Sequence, residues 1–120
     1  KIPHNAVRWT CTDEDTFGVF MISEALERNE DHAKLPLILR GWAGDELLLF
    51  ESEKTSAIVL NSIWDDEASA QTFAQTWQKR YPDSGRIFVE TRGKVVIILI
   101  SQTPSNSMSL AQELGLRTAP

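Results

Sequence analysis

The sequence predicts an α+β domain: a four-stranded, mostly antiparallel sheet in the order α-β-β-α-β-β-α, with the helices packed on one face. Three observations predict it. Apolar and β-branched runs occur in two pairs, each joined by a short polar connection, which is the pattern of hairpins. Between the pairs, Ala70, Phe73, Ala74, Trp77 and Tyr81 recur at helical spacing. The chain has 120 residues, which suits one domain over residues 1–120 with a single core and no staples.

The elements follow in order. Residues 1–12 carry little periodicity, and Trp9 is the one large apolar side chain able to pin them. Thr12-Asp13-Glu14-Asp15 reads as a helix start, a Thr N-cap with acids in the first turn. Phe17, Phe20, Met21 and Ile22, then Ala25 and Leu26, supply the inward face, and the helix ends near Asn29. Residues 35–40 fit either a short helix opened by Pro36 or the start of an edge strand. Gly41-Trp42-Ala43-Gly44-Asp45 reads as a turn. Leu47 to Glu51 and Ala57 to Trp64 form the first hairpin across Ser52-Glu53-Lys54.

Asp65-Asp66-Glu67 opens the central helix, and Pro82 with Asp83-Ser84-Gly85 closes it. Arg86 to Glu90 and Lys94 to Ile100 flank Thr91-Arg92-Gly93 as the second hairpin. The last of these strands is apolar at successive positions, so it belongs inside the sheet. Ser105 to Leu114 makes a short final helix after Pro104, with Gly115 beyond its end.

Charge and composition narrow the function. Twelve basic residues against seventeen acidic give a net charge of −5, and the cations are scattered. Nucleic acid is a poor partner for such a surface, because phosphate binding needs clustered Lys and Arg. No apolar run approaches the roughly 20 residues of a transmembrane helix. Cys11 is the single cysteine, so no internal disulfide forms, and its acidic neighbours disfavour a thiolate. His4 and His32 lack the short-range partners of a zinc site. The acidic runs 13–15 and 65–67 lack the alternating pattern of a calcium loop and read as helix caps. The glycines at 41 and 44 precede a strand, which is not the arrangement of a phosphate-binding loop. The sequence thus implies no catalytic residue, no metal and no cofactor. Trp42, Gly44, Asp45 and Trp64 remain as candidate binding residues: Trp42 beside a glycine-rich turn suits a contact surface, while Trp64, like Trp77, also fits packing between sheet and helix.

Two resemblances bear on context. Asp15-Thr16-Phe17-Gly18-Val19-Phe20, Gly41-Trp42-Ala43-Gly44-Asp45, and Ile63-Trp64-Asp65-Asp66-Glu67-Ala68-Ser69-Ala70 with Phe73 together resemble a D-T-L-G-E-F … G-W-G-G-D … W-D-x-E-x-D-A-x-x-F pattern. That pattern is similar to the C-terminal region of exported bacterial proteins of unassigned function, whose preceding region looks like a degenerate zinc-metallopeptidase domain. The likeness spans about residues 13–100, with Ala43, Glu46, Val19 and Ser69 departing from it. It implies an extracytoplasmic accessory module, part of a longer or processed chain, that contacts a protein or its own remaining domain. The Trp-Asp step from strand into helix at Ile63 to Phe73 also resembles dimeric α+β barrel proteins. That likeness implies a small-molecule cavity of a few hundred Å³ near Phe20, Trp64, Phe73 and Trp77, although a hairpin here stands where those proteins have one strand.

Overall fold

The computed structural model describes residues 9–26, 35–53, 55–82 and 85–116. Its elements run β1 (Thr10–Asp15), α1 (Gly18–Leu26), α2 (Leu35–Leu39), β2 (Trp42–Ser52), β3 (Thr55–Trp64), α3 (Glu67–Arg80), β4 (Ile87–Arg92), β5 (Val95–Ser101) and α4 (Pro104–Glu113). The five strands form one sheet in the order β1-β2-β3-β5-β4, and every neighbouring pair is antiparallel. The expected α+β class and both hairpins are present. The expected four strands and the α-β-β-α-β-β-α order are not.

The main correction lies at the start of the chain. Thr12 to Asp15 do not open a helix; they belong to β1, paired with β2 from Thr10↔Glu51 to Asp15↔Leu47 across a bulge at Cys11/Asp13. An acid-rich segment suits both a first helical turn and an exposed edge strand, where charge discourages pairing with another chain. Long-range pairing with β2 decides between them. The helix begins later, at Gly18, and its phase also differs from expectation. Ile22 and Leu26 are buried, whereas Phe20 is 70 % exposed and Met21 46 %. The expected end at Asn29 lies outside the described residues.

A second correction concerns the layers. The sheet is covered on both faces, not one. Leu48, Phe50, Ala57, Val59, Ile97 and Leu99 point to one side and pack against Trp9 and against Leu110 and Ala111 of α4. Leu60, Trp64, Val96 and Ile98 point to the other and pack against α1, α2 and α3. The alternation of β5 between these two cores matches its interior place between β3 and β4.

The ambiguous stretch at Leu35–Leu39 is a short helix, α2. Trp42 to Asp45 belong to β2 rather than to a free turn, and a register shift between Trp42 and Gly44 marks a bulge. The reading of α3 holds. Asp66 is its N-cap and accepts from the Ser69 N–H, and Ala70, Phe73, Ala74 and Trp77 are buried. Each large side chain in that stripe contributes about 1.5–3 kcal/mol of burial. In α4, Thr103 is the N-cap and Pro104 follows it. Gly115, at φ +72°, ends the helix, and the Leu116 N–H reaches back to the Ala111 carbonyl.

Candidate functional site

The four residues singled out in the sequence lie at one end of the sheet, where β2 begins and β3 ends. Trp42 and Trp64 face each other across that pair. Trp64 is 1 % exposed; it stacks on Phe73 with ring centroids 4.6 Å apart and donates its indole N–H to Ser62 Oγ at 3.0 Å. It is a core residue. Trp42 is half-buried and packs against the same core.

Asp45 explains why Trp42 stands where it does. One carboxylate oxygen of Asp45 accepts the Phe17 N–H at 2.6 Å. The other accepts the Gly18 N–H at 2.9 Å and the Trp42 indole N–H at 3.1 Å. The carboxylate therefore caps α1 from a neighbouring strand, supplying acceptors to N–H groups that a helix start leaves without partners. Gly44, at φ +153°, forms the bulge that turns Asp45 toward α1. Trp42, Gly44 and Asp45 are thus brought together as a clasp between β2 and α1, and Trp64 stands apart from that clasp in the core.

The more open surface lies toward the opposite end of the sheet, on the face that carries α1, α2 and α3. Residues paired across antiparallel strands project to the same side. Leu49, Ile58, Ile100 and Ile87 therefore form one apolar row across β2, β3, β5 and β4, and Leu47, Leu60, Ile98 and Val89 form the next. At β1 the first row ends on Asp13 and the second on Asp15. The helices cover the second row better than the first. Ile58 is 43 % exposed, and Leu49, Ile100 and Ile87 are only partly buried.

A cavity of about 140 Å³ opens between the sheet and α3, lined by Phe17, Leu47, Ile58, Leu60, Trp77, Ile98 and Ile100. Leu47 and Ile58 also line an open groove of about 250 Å³ bordered by Asp13, Glu14 and Asp15. The two depressions therefore adjoin. The Trp77 indole nitrogen is buried without a hydrogen-bond partner, an uncommon state for a buried donor. Tyr81, one turn on, donates its hydroxyl to the Ala25 carbonyl and ties α3 to α1.

The sequence spacing puts the apolar members of both rows on strands; it does not show their pairing with the acids at 13 and 15, which read as a helix start, or how little the helices cover them. The signal was present in the alternation Leu47/Leu49, which leaves one sheet face richer in apolar residues than the neighbouring helices can cover. Of the four residues expected around a cavity, Trp77 lines it, Trp64 and Phe73 pack against each other, and Phe20 points outward.

Among the described residues, no group of three or more His, Cys, Asp or Glu is placed to hold a metal. His4 and His32 lie outside the described residues. Cys11 is half-buried and donates to the Asp13 carbonyl. Burial raises its thiol pKa above the ordinary value; a backbone hydrogen bond from Asp13 to the thiolate opposes this, and the Glu14 carboxylate adds to it. Among the described residues, no helix is long and apolar enough to cross a membrane.

No curated protein and no solved structure matches this chain. A model of one protein family, described as a domain of unknown function (DUF8575), matches residues 7–106, and with that span covering most of its length the chain belongs to this family.

Proposed function

We propose that the chain is a non-catalytic binding or accessory module whose contact surface is the open half of the helix-bearing sheet face. One observation carries this reading: the Leu49–Ile58–Ile100–Ile87 row, with Ile58 43 % exposed at its middle. Contiguous apolar surface left uncovered on a folded domain marks a place of contact. The likeness to the C-terminal region of exported bacterial proteins supports an extracytoplasmic setting for such a module. The Trp42 clasp is a weaker candidate surface, because its indole N–H and the Asp45 carboxylate are already engaged with each other and with α1.

The alternative, a small-molecule carrier, has the adjoining cavity in its favour. Its volume of about 140 Å³ is below the roughly 300–1,000 Å³ of ordinary ligand pockets, so the surface reading is preferred.

The neutral dye Nile red tests the contact surface. Fluorescence enhancement by the folded protein, reduced several-fold in Ile58→Thr with the urea midpoint nearly kept, is the expected result. Enhancement that begins only when the chain unfolds would remove the proposal.

A further inference from the structure

Resting on that reading, we infer that the open sheet face takes a short segment of a partner polypeptide, apolar on one side and bearing Lys or Arg at the end that meets β1. The apolar rows identify the first half of this chemistry and their ends identify the second. The exposed row runs Asp13–Leu49–Ile58–Ile100–Ile87, and the row beneath it runs Asp15–Leu47–Leu60–Ile98–Val89. Each apolar row thus terminates on a carboxylate that projects to the same face.

Glu14, paired with Leu48, and Glu46, two residues before Leu48 on β2, project to the opposite face, so the acidic border of this face is Asp13 and Asp15. Among the described residues, neither Asp13 nor Asp15 forms an ion pair, and each carboxylate accepts the N–H of the next residue, Glu14 or Thr16. Acids on an edge strand are explained in part by the need to block edge-to-edge pairing. That need does not explain why the neighbouring strands expose an apolar row that leads into them.

Width sets the size of the segment. Three interstrand gaps separate Leu49 from Ile87, about 14 Å in all, which a helix spans with about ten residues. A second copy of this chain is disfavoured as the occupant, because it brings a net charge of −5 and an acidic border of its own.

The test uses two synthetic peptides of about fourteen residues, each with Leu along one helical face and neutral polar residues on the other, and with Lys or Glu grouped in one terminal turn. The Lys peptide is expected to bind at least about tenfold more tightly than the Glu peptide, and more weakly as salt rises. Asp13→Asn with Asp15→Asn keeps the local side-chain acceptors and removes the charge. It is expected to weaken the Lys peptide about fivefold or more while leaving Nile red enhancement unchanged. The pair Asp65→Asn with Glu67→Gln removes the same charge at the opposite end of the sheet and is expected to change binding by less than about twofold.

Equal binding of both peptides, or equal loss in the two paired variants, would overturn the inference while leaving the apolar contact surface standing. Absence of Nile red enhancement would instead remove the surface itself. Dimerisation in sedimentation runs, abolished by Ile58→Thr, would assign the face to a second copy and likewise overturn the inference.

Discussion

Asp45, on β2, accepts the backbone N–H of Gly18 at 2.9 Å and so starts α1 from 27 residues away in sequence. Phe17 N–H and the Trp42 indole N–H complete the cluster. Hydrogen bonds to a charged acceptor contribute about 1.5–3 kcal/mol, and an N-cap about 1 kcal/mol. Asp45→Ala is therefore expected to cost about 2–3 kcal/mol in urea unfolding, and Asp45→Asn, which keeps one acceptor oxygen, about 1 kcal/mol. Trp42→Phe removes a single donor and is expected to cost less than Asp45→Ala. An Asp45→Ala variant as stable as the parent would show that α1 does not depend on this cap.

The central helix starts differently, from a carboxylate within its own sequence. Asp66 is held below its ordinary pKa of 3.8, first by the Ser69 N–H and then by the Ser69 hydroxyl, with Lys94 assisting more weakly. A carboxylate with a lowered folded pKa stabilises the fold above its unfolded value and loses that contribution as pH falls through the folded one. The difference in urea midpoint between the parent chain and Asp66→Ala is thus expected to stay constant between about pH 5 and 7, and to shrink as the pH drops below 3.8. A difference that grows with acid would contradict the cap.

These two helix starts show what a linear sequence reveals. Asp66 and Ser69 stand three residues apart on the helix they cap, so local spacing suffices to find them. The apolar stripe of five residues from Ala70 to Tyr81 is legible for the same reason. Asp45 is invisible in this way, because its helix lies elsewhere in the chain. The acids of β1 share the composition of a first helical turn, and only pairing with Leu47 to Glu51 makes them a strand. The open apolar face is legible in part: Leu47 and Leu49 alternate as a strand should, but the degree of helix cover emerges only from packing.

Gly41 owes its identity to space rather than to backbone freedom. A Cβ at this position would meet Ser69 Oγ at 2.4 Å and Ser69 Cβ at 2.6 Å, and the Gly41 carbonyl accepts the Asp65 N–H where β3 hands over to α3. Gly41→Ala is expected to destabilise by about 1–3 kcal/mol through overpacking. Ser69→Gly opens the space, so the double variant should lose less than the sum of the two single losses. Strict additivity in urea unfolding would place the strain elsewhere.

Trp64 and Trp77 are both buried on α3's side of the sheet, yet their indole nitrogens differ. Trp64 donates to Ser62 Oγ, whereas the Trp77 nitrogen has no partner. Replacement by Phe removes a similar volume in each case. At Trp64 it also strips a hydrogen bond and leaves the buried Ser62 oxygen with one donor fewer, a loss of about 1–2 kcal/mol. At Trp77 it removes a donor that gains nothing from burial, which offsets part of the lost contact. Trp77→Phe is accordingly expected to be less destabilising than Trp64→Phe by about 1–2 kcal/mol in urea unfolding. The reverse order would mean that the Trp77 ring, through its contacts with Phe73 and Tyr81, outweighs the unmet hydrogen bond beside the cavity.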